Sequence, residues 1–197
     1  MSSEIKITNI RHASSNSNNL VLASDGSATI GQISSSSVFP AGGTGNPISV
    51  AVICDQKAYN VAGGTFTSGG WRTRDLNTEI SDPDSIVSIS SNQFTLGAGT
   101  YLINWSCPAY KVSNHSSRLY DITGSTALAY TTSSHASSGS GVQNEVFGSF
   151  IHTPSSSNTY EIQHRSVTDF STYGLGVQTD ISGANSMYTK VIIYKLK

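Results

Sequence analysis

At 197 residues and 20.8 kDa, the chain suits one sizeable domain plus a short extra segment, and it can bury enough surface to fold without a metal or disulfide staple. Only 12% of its residues are charged, against ~25% in ordinary domains, and 36 Ser and 19 Thr fill the gap. The net charge is -1 with no basic stripe, and no apolar run approaches the ~20 residues of a membrane span, so nucleic-acid binding and membrane insertion are excluded as readings.

The chain begins Met1-Ser2-Ser3-Glu4, without the charged and apolar regions of a signal peptide, so the expectation is synthesis in a cytoplasm without standard export. Residues 4–10 alternate, with Ile5 and Ile7 on one face. Strand-like pieces follow at 19–23 and 28–31, separated by the turn signal Ser24-Asp25-Gly26-Ser27. Residues 34–47, rich in Ser, Gly and Pro, read as a linker. Three short strands cannot close a core alone. Residues 1–48 are therefore an arm that needs a partner, most simply another copy of itself.

Residues 49–197 form a series of short strand-like runs: 48–54, 65–67, 71–76, 86–89, 93–96, 100–110, 118–123, 127–131, 145–153, 159–164, 173–177 and 188–196. Turn signals such as Gly63-Gly64, Gly69-Gly70, Ser91-Asn92 and Ser182-Gly183 punctuate them. Even spacing of this kind, with no helical period, predicts an all-β antiparallel sandwich or barrel. Alternation puts Tyr101, Ile103, Trp105 and Cys107 on one face, and Leu102, Asn104 and Ser106 on the other. It likewise sets Tyr160 and Ile162 against Glu161, Gln163 and Arg165. The last run, with Val191, Ile192, Ile193 and Tyr194, is apolar on both faces, which predicts cover on both sides. A subunit interface would supply the second layer, with Val191 and Ile193 in it. Cys54 and Cys107 lie in strand-like runs without a paired CxxC motif; buried free thiols are the favoured reading and a disulfide stays open.

Several blocks carry a resemblance: Asp55-Gln56-Lys57-Ala58, the stretch 63–77 around Gly69-Gly70-Trp71-Arg72-Thr73-Arg74-Asp75, Leu96-Gly97-Ala98-Gly99-Thr100-Tyr101, Ser117-Arg118-Leu119-Tyr120-Asp121 and Tyr160-Glu161-Ile162-Gln163-His164-Arg165. Together they resemble a C-terminal module of bacteriophage tail-fibre proteins. That module is similar to the trimeric jelly roll of the complement and tumour-necrosis-factor superfamily. The likeness spans residues 50–197, and residues 10–27 are similar to lead-in segments of phage fibres. It implies an antiparallel jelly-roll β-sandwich at 49–197 on a short N-terminal β-stalk or arm at 1–48. It also implies a homotrimer located in the virion, made in the host cytoplasm, with the arm bound to other virion proteins. The implied function is a tail fibre or receptor-binding appendage that attaches the virion to a bacterial surface polysaccharide. A head fibre or capsid decoration protein stabilising the capsid is the alternative, and an envelope polysaccharide hydrolase the weakest one. The chain lacks the extended shaft and large anchoring domain of long fibres, which leaves tail, head and adaptor positions open.

Candidate site residues follow from both lines. Alternation would put Arg72 and Arg74 on one face, with Trp71, Thr73 and Asp75 on the other. One reading is an ion-pair network between subunits near a three-fold axis, with Glu161 or Asp121 as partners; a solvated strand face is the plainer one. Receptor contacts are expected in loops at 110–115, 133–141 and 167–173, where Tyr110, Asn114, His115, Phe170 and Tyr173 set rings beside amides and hydroxyls suited to sugars. Ordinary surface loops would look the same. His12, His115, His135, His152 and His164 lack metal-ligand spacing, although a three-fold axis would bring copies of one of them together. Asp82-Pro83-Asp84 reads as a turn with too few oxygens for calcium. No cofactor is expected. Neither a paired-carboxylate pattern nor a nucleophile elbow, P-loop or His-Glu-x-x-His motif is present, so no enzyme is expected.

Overall fold

The computed structural model describes residues 48–196, together with three short strands earlier in the chain. The chain divides into two compact units, Met1–Pro47 and Ile48–Lys197. In the first, β1 (Asn9–Ile10), β2 (Leu20–Leu22) and β3 (Ala28–Ile30) make an antiparallel sheet in the order β1-β2-β3. The expected face of Ile5 and Ile7, the linker at 34–47 and His12 lie outside the described residues.

The second unit is all strand and turn. Its elements are β4 (Ser49–Lys57), β5 (Arg72–Thr73), β6 (Thr78–Ser81), β7 (Val87–Ser90), β8 (Gln93–Leu96), β9 (Tyr101–Tyr110), β10 (Ser113–Asp121), β11 (Thr126–Tyr130), β12 (Ser134–Ala136), β13 (Gln143–His152), β14 (Asn158–Ser166) and β15 (Ser186–Lys195). One sheet runs β11-β10-β14-β8-β7, with β12 on β10 and β5 on β14; the other runs β13-β9-β15-β4-β6. The chain crosses between them repeatedly, from β8 to β9, β9 to β10, β12 to β13, β13 to β14 and β14 to β15. That is the antiparallel jelly-roll order expected.

The alternation read from the sequence determines what the sheets bury. Tyr101, Ile103, Trp105 and Cys107 of β9 join Ala51, Ile53, Val191 and Ile193 on the inner face of their sheet, and Phe94, Leu96, Leu119, Tyr160 and Ile162 complete the core from the other. Each large side chain buried in this way contributes about 1.5–3 kcal/mol of transfer free energy. A smaller cluster of Phe66, Val112, Ala109 and Ala136, with Phe170 and Leu175 against it, fills the region where β9 passes into β10. Cys54 and Cys107 are buried free thiols.

Several expected elements differ. The run 65–67 keeps one bridge, Phe66 to Phe170, and 71–76 keeps only β5. Residues 173–177 form no strand. There the backbone amides of Gly63 and Gly64 donate to Gly176 and Thr172, and that of Leu175 to Gly64, so loop satisfies loop. Strands β6 and β12 lack a strong pattern because their outward positions are polar or exposed. Asp82 does form a turn: its carboxylate oxygens accept from the amides of Ile86 and Val87, each at 2.9 Å.

Candidate binding surfaces

The outward face of the β13-β9-β15-β4-β6 sheet is apolar over much of its width. Register places Ile151 beside Leu102, Leu102 beside Tyr194, and Tyr194 beside Val50, so four apolar side chains form one row. The next row runs Ser149, Asn104, Ile192, Val52. Phe147 follows on β13 and is 67% exposed, while Ile151 is 60% exposed. Phe147, Asn104, Lys190 and Ile192 border a depression of about 460 Å³ on this face. Phe147 and Ile151 carry the signal sequence reasoning passed over: they share a parity with Ser149, opposite to Val146 and Phe150.

The expected interface residues lie elsewhere. Val191 and Ile193 are fully buried within the subunit, so on β15 the outward residues are Ile192 and Tyr194. Arg74 is corrected as well: it is 0% exposed, inside the sandwich, and reaches no surface. Its Nε donates to Thr189 Oγ1 at 2.6 Å and its Nη2 to the Leu175 carbonyl at 2.8 Å. Strand β5 ends at Thr73, so parity does not carry Arg72 and Arg74 onto one face. Arg72 is exposed and donates to the carbonyls of Thr67 and Ser68. Neither expected carboxylate pairs with them. Glu161 accepts from Thr73 and Gln163, and Asp121 from the Gly124 amide and Asn158.

The outward face of the opposite sheet is polar and aromatic. The Arg118 guanidinium sits 4.4 Å from the Trp71 ring centre and 4.8 Å from that of Tyr120, and its Nε donates to Gln163 Oε1 at 2.7 Å. Trp71 and Tyr130 pack at 5.8 Å. Cation–π contacts of this kind hold a ring at a defined angle on an open surface. Beside this stack lies a pocket of about 180 Å³ whose lining includes Trp71, Asn114, His115, Arg165 and Ser166.

The five expected receptor residues fall into two groups. Tyr110 packs edge-on against Phe170 at 5.4 Å and Tyr173 at 6.4 Å, with Lys111 Nζ over the rings of Tyr110 and Phe170. Asn114 and His115 belong instead to the pocket, and they sit on a strand. The connection from β9 to β10 is only Lys111-Val112, with Lys111 at φ 56° and Val112 buried, so the expected 110–115 loop is a tight turn that carries the chain from one sheet to the other. Asn114 Oδ1 meets His135 Nδ1 at 2.7 Å. His115 is 2% exposed, and its Nδ1 lies 2.9 Å from His164 Nε2. Burial pulls His115 down to about 4, helped by Arg74 and His135, and His164 well below its ordinary value. Among the described residues no group of three or more His, Cys, Asp or Glu side chains is placed to hold a metal.

No family model and no curated protein matches the sequence. Solved structures do. The Eiger tumour-necrosis factor of S. frugiperda superposes with a TM-score of 0.50 at 13% identity, covering 77% of this chain and 94% of its own. Murine APRIL at pH 5.0 gives 0.50 at 9%, covering 76% and 99%. The globular domain of zebrafish complement 1qA protein gives 0.46 at 13%, covering 76% and 98%. At such identities the likeness is one of fold, and the fold is a jelly roll of the tumour-necrosis-factor type.

Proposed function

We propose that the chain forms a homotrimer, and that the trimer is a phage virion appendage which attaches the particle to a bacterial surface glycan. The observation that carries the assembly is the apolar outward face of the β13-β9-β15-β4-β6 sheet. Phe147, Ile151, Leu102, Ile192 and Tyr194 lie on it together, and single-chain proteins rarely leave contiguous apolar area of this kind in water. Copies of the same chain are the simplest cover, since closed rotational symmetry lets one patch bury itself in every subunit. Three copies are favoured by the resemblance to a trimeric jelly roll. The phage setting rests on the resemblance of the Trp71 block and of residues 10–27 to fibre proteins, and the arm would then meet other virion proteins.

Sedimentation equilibrium tests the assembly. The expected mass is three times 20.8 kDa, falling to one chain mass when Phe147→Asp and Ile151→Asp are combined. Wild-type protein running as a single chain at micromolar concentration would sink the reading. The function is tested by adding purified protein to a phage that carries it. Blocked adsorption supports the reading, whereas binding only to expanded capsids would move the chain to capsid decoration.

A further inference from the structure

The pocket beside Trp71 has features that a structural role does not account for. His115 and Ser166 both line it, and among the described residues each keeps a buried polar atom without a partner, Nε2 and Oγ respectively. Leaving such an atom unsatisfied costs about 1–3 kcal/mol. A ligand hydroxyl, donor and acceptor at once, would satisfy either. Trp71 is half-buried and lines the pocket beside these groups. An aromatic wall next to hydroxyl partners suits a pyranose, whose ring presents C–H bonds on one face and hydroxyls around its rim. The volume of about 180 Å³ lies below the ~300–1,000 Å³ of drug-sized sites, so one sugar residue is the natural occupant.

Charge narrows the ligand further. Arg165 is exposed and lines the pocket, and among the described residues no carboxylate lines it. The ion pairs among the described residues both belong to Lys57, with Asp55 and Asp75. Arg165 therefore offers an open planar fork of the geometry that matches a carboxylate.

We infer that this pocket binds one carboxylate-bearing sugar residue, with Trp71 against the ring, Arg165 on the carboxylate, and His115 Nε2 and Ser166 Oγ on hydroxyls. That the sugar belongs to a bacterial surface glycan rests on the function proposed above; the chemistry of the pocket does not.

Tryptophan fluorescence reads the site directly. The chain has two tryptophans, and Trp105 is 3% exposed, so a ligand in the pocket acts on Trp71. The whole protein is titrated with a galacturonic acid trisaccharide and with the neutral galactose trisaccharide. A saturable change is expected with the uronate, about tenfold tighter than with the neutral sugar. Arg165→Gln should abolish that preference. No saturable change with either sugar would overturn the inference. So would equal affinities that Arg165→Gln leaves untouched. Sedimentation of the same samples keeps the readings apart: a trimer that blocks adsorption but ignores uronate counts against the pocket alone, and a single chain that binds uronate counts against the assembly alone.

Discussion

His115 Nδ1 and His164 Nε2 share a hydrogen bond of 2.9 Å inside the sandwich, joining β10 to β14 through two imidazoles. A bond between ring nitrogens needs one ring to accept, so at least one imidazole must be neutral. Burial favours the neutral form of both, and the nearby Arg74 charge pushes in the same direction.

This pair makes the fold acid-sensitive. In the unfolded chain these histidines protonate near 6.5, whereas folded His115 waits until about 4. Between those values the unfolded chain holds more protons, so stability is complete above pH 6.5 and falls as pH drops towards 4. His115 alone should remove about 2 kcal/mol at pH 5, and His164 adds to that loss. Urea unfolding at pH 7.5 and pH 5 measures the difference, and His115→Asn should reduce it. An unchanged midpoint across this interval in the wild type would mean that the imidazoles are not held neutral.

Arg74 is expected to support the fold rather than assembly. Its guanidinium ties β15 to the 173–177 segment through Thr189 and Leu175. Arg74→Ala would empty that space and strand both acceptors, at a cost of about 3 kcal/mol. Arg72→Ala, at an exposed position, should change stability by no more than about 0.5 kcal/mol. Denaturant midpoints give both values. A strong effect of Arg72→Ala on mass, with little effect of Arg74→Ala on stability, would restore an interface role for the arginine pair.

These residues also mark what the sequence can reveal. A period of two separates Val191 and Ile193 from Ile192 and Tyr194, but both sets are apolar, and nothing local says which set faces the core. The same period did assign Tyr101, Ile103 and Trp105 correctly, because their alternates include Asn104 and Ser106. Arg74 could not be placed, since a charged side chain in a polar stretch reads as surface. The pocket was hidden for a different reason. Trp71, His115 and Arg165 come from three distant segments, and only the pairing of His115 with Ser166 and of Arg72 with His164 brings them together. Lys111, in a left-handed conformation that glycine usually fills, hides the short crossing from β9 to β10, which reads as a longer loop.

Gly148 has a role that its sequence context does not announce. It sits on β13 directly opposite Trp105 of β9, and a methyl group there would fall within the indole ring, against Cζ2 and Cε2. The missing side chain lets the ring lie flat across the strand while Nε1 donates to Ser117 Oγ at 2.9 Å, linking the two sheets. Gly148→Ala must displace the ring, with an overpacking cost of about 1–3 kcal/mol. If the displaced ring also loses its bond to Ser117, about 1 kcal/mol is added. Ser117→Ala gives the second contribution alone, so the two variants separate crowding from hydrogen bonding. Urea midpoints supply the energies, and Trp105 fluorescence in a Trp71→Phe background reports whether the ring has moved. If Gly148→Ala matches the wild type in both stability and spectrum, Trp105 does not occupy the space above this glycine, and the link between the sheets must run through other residues.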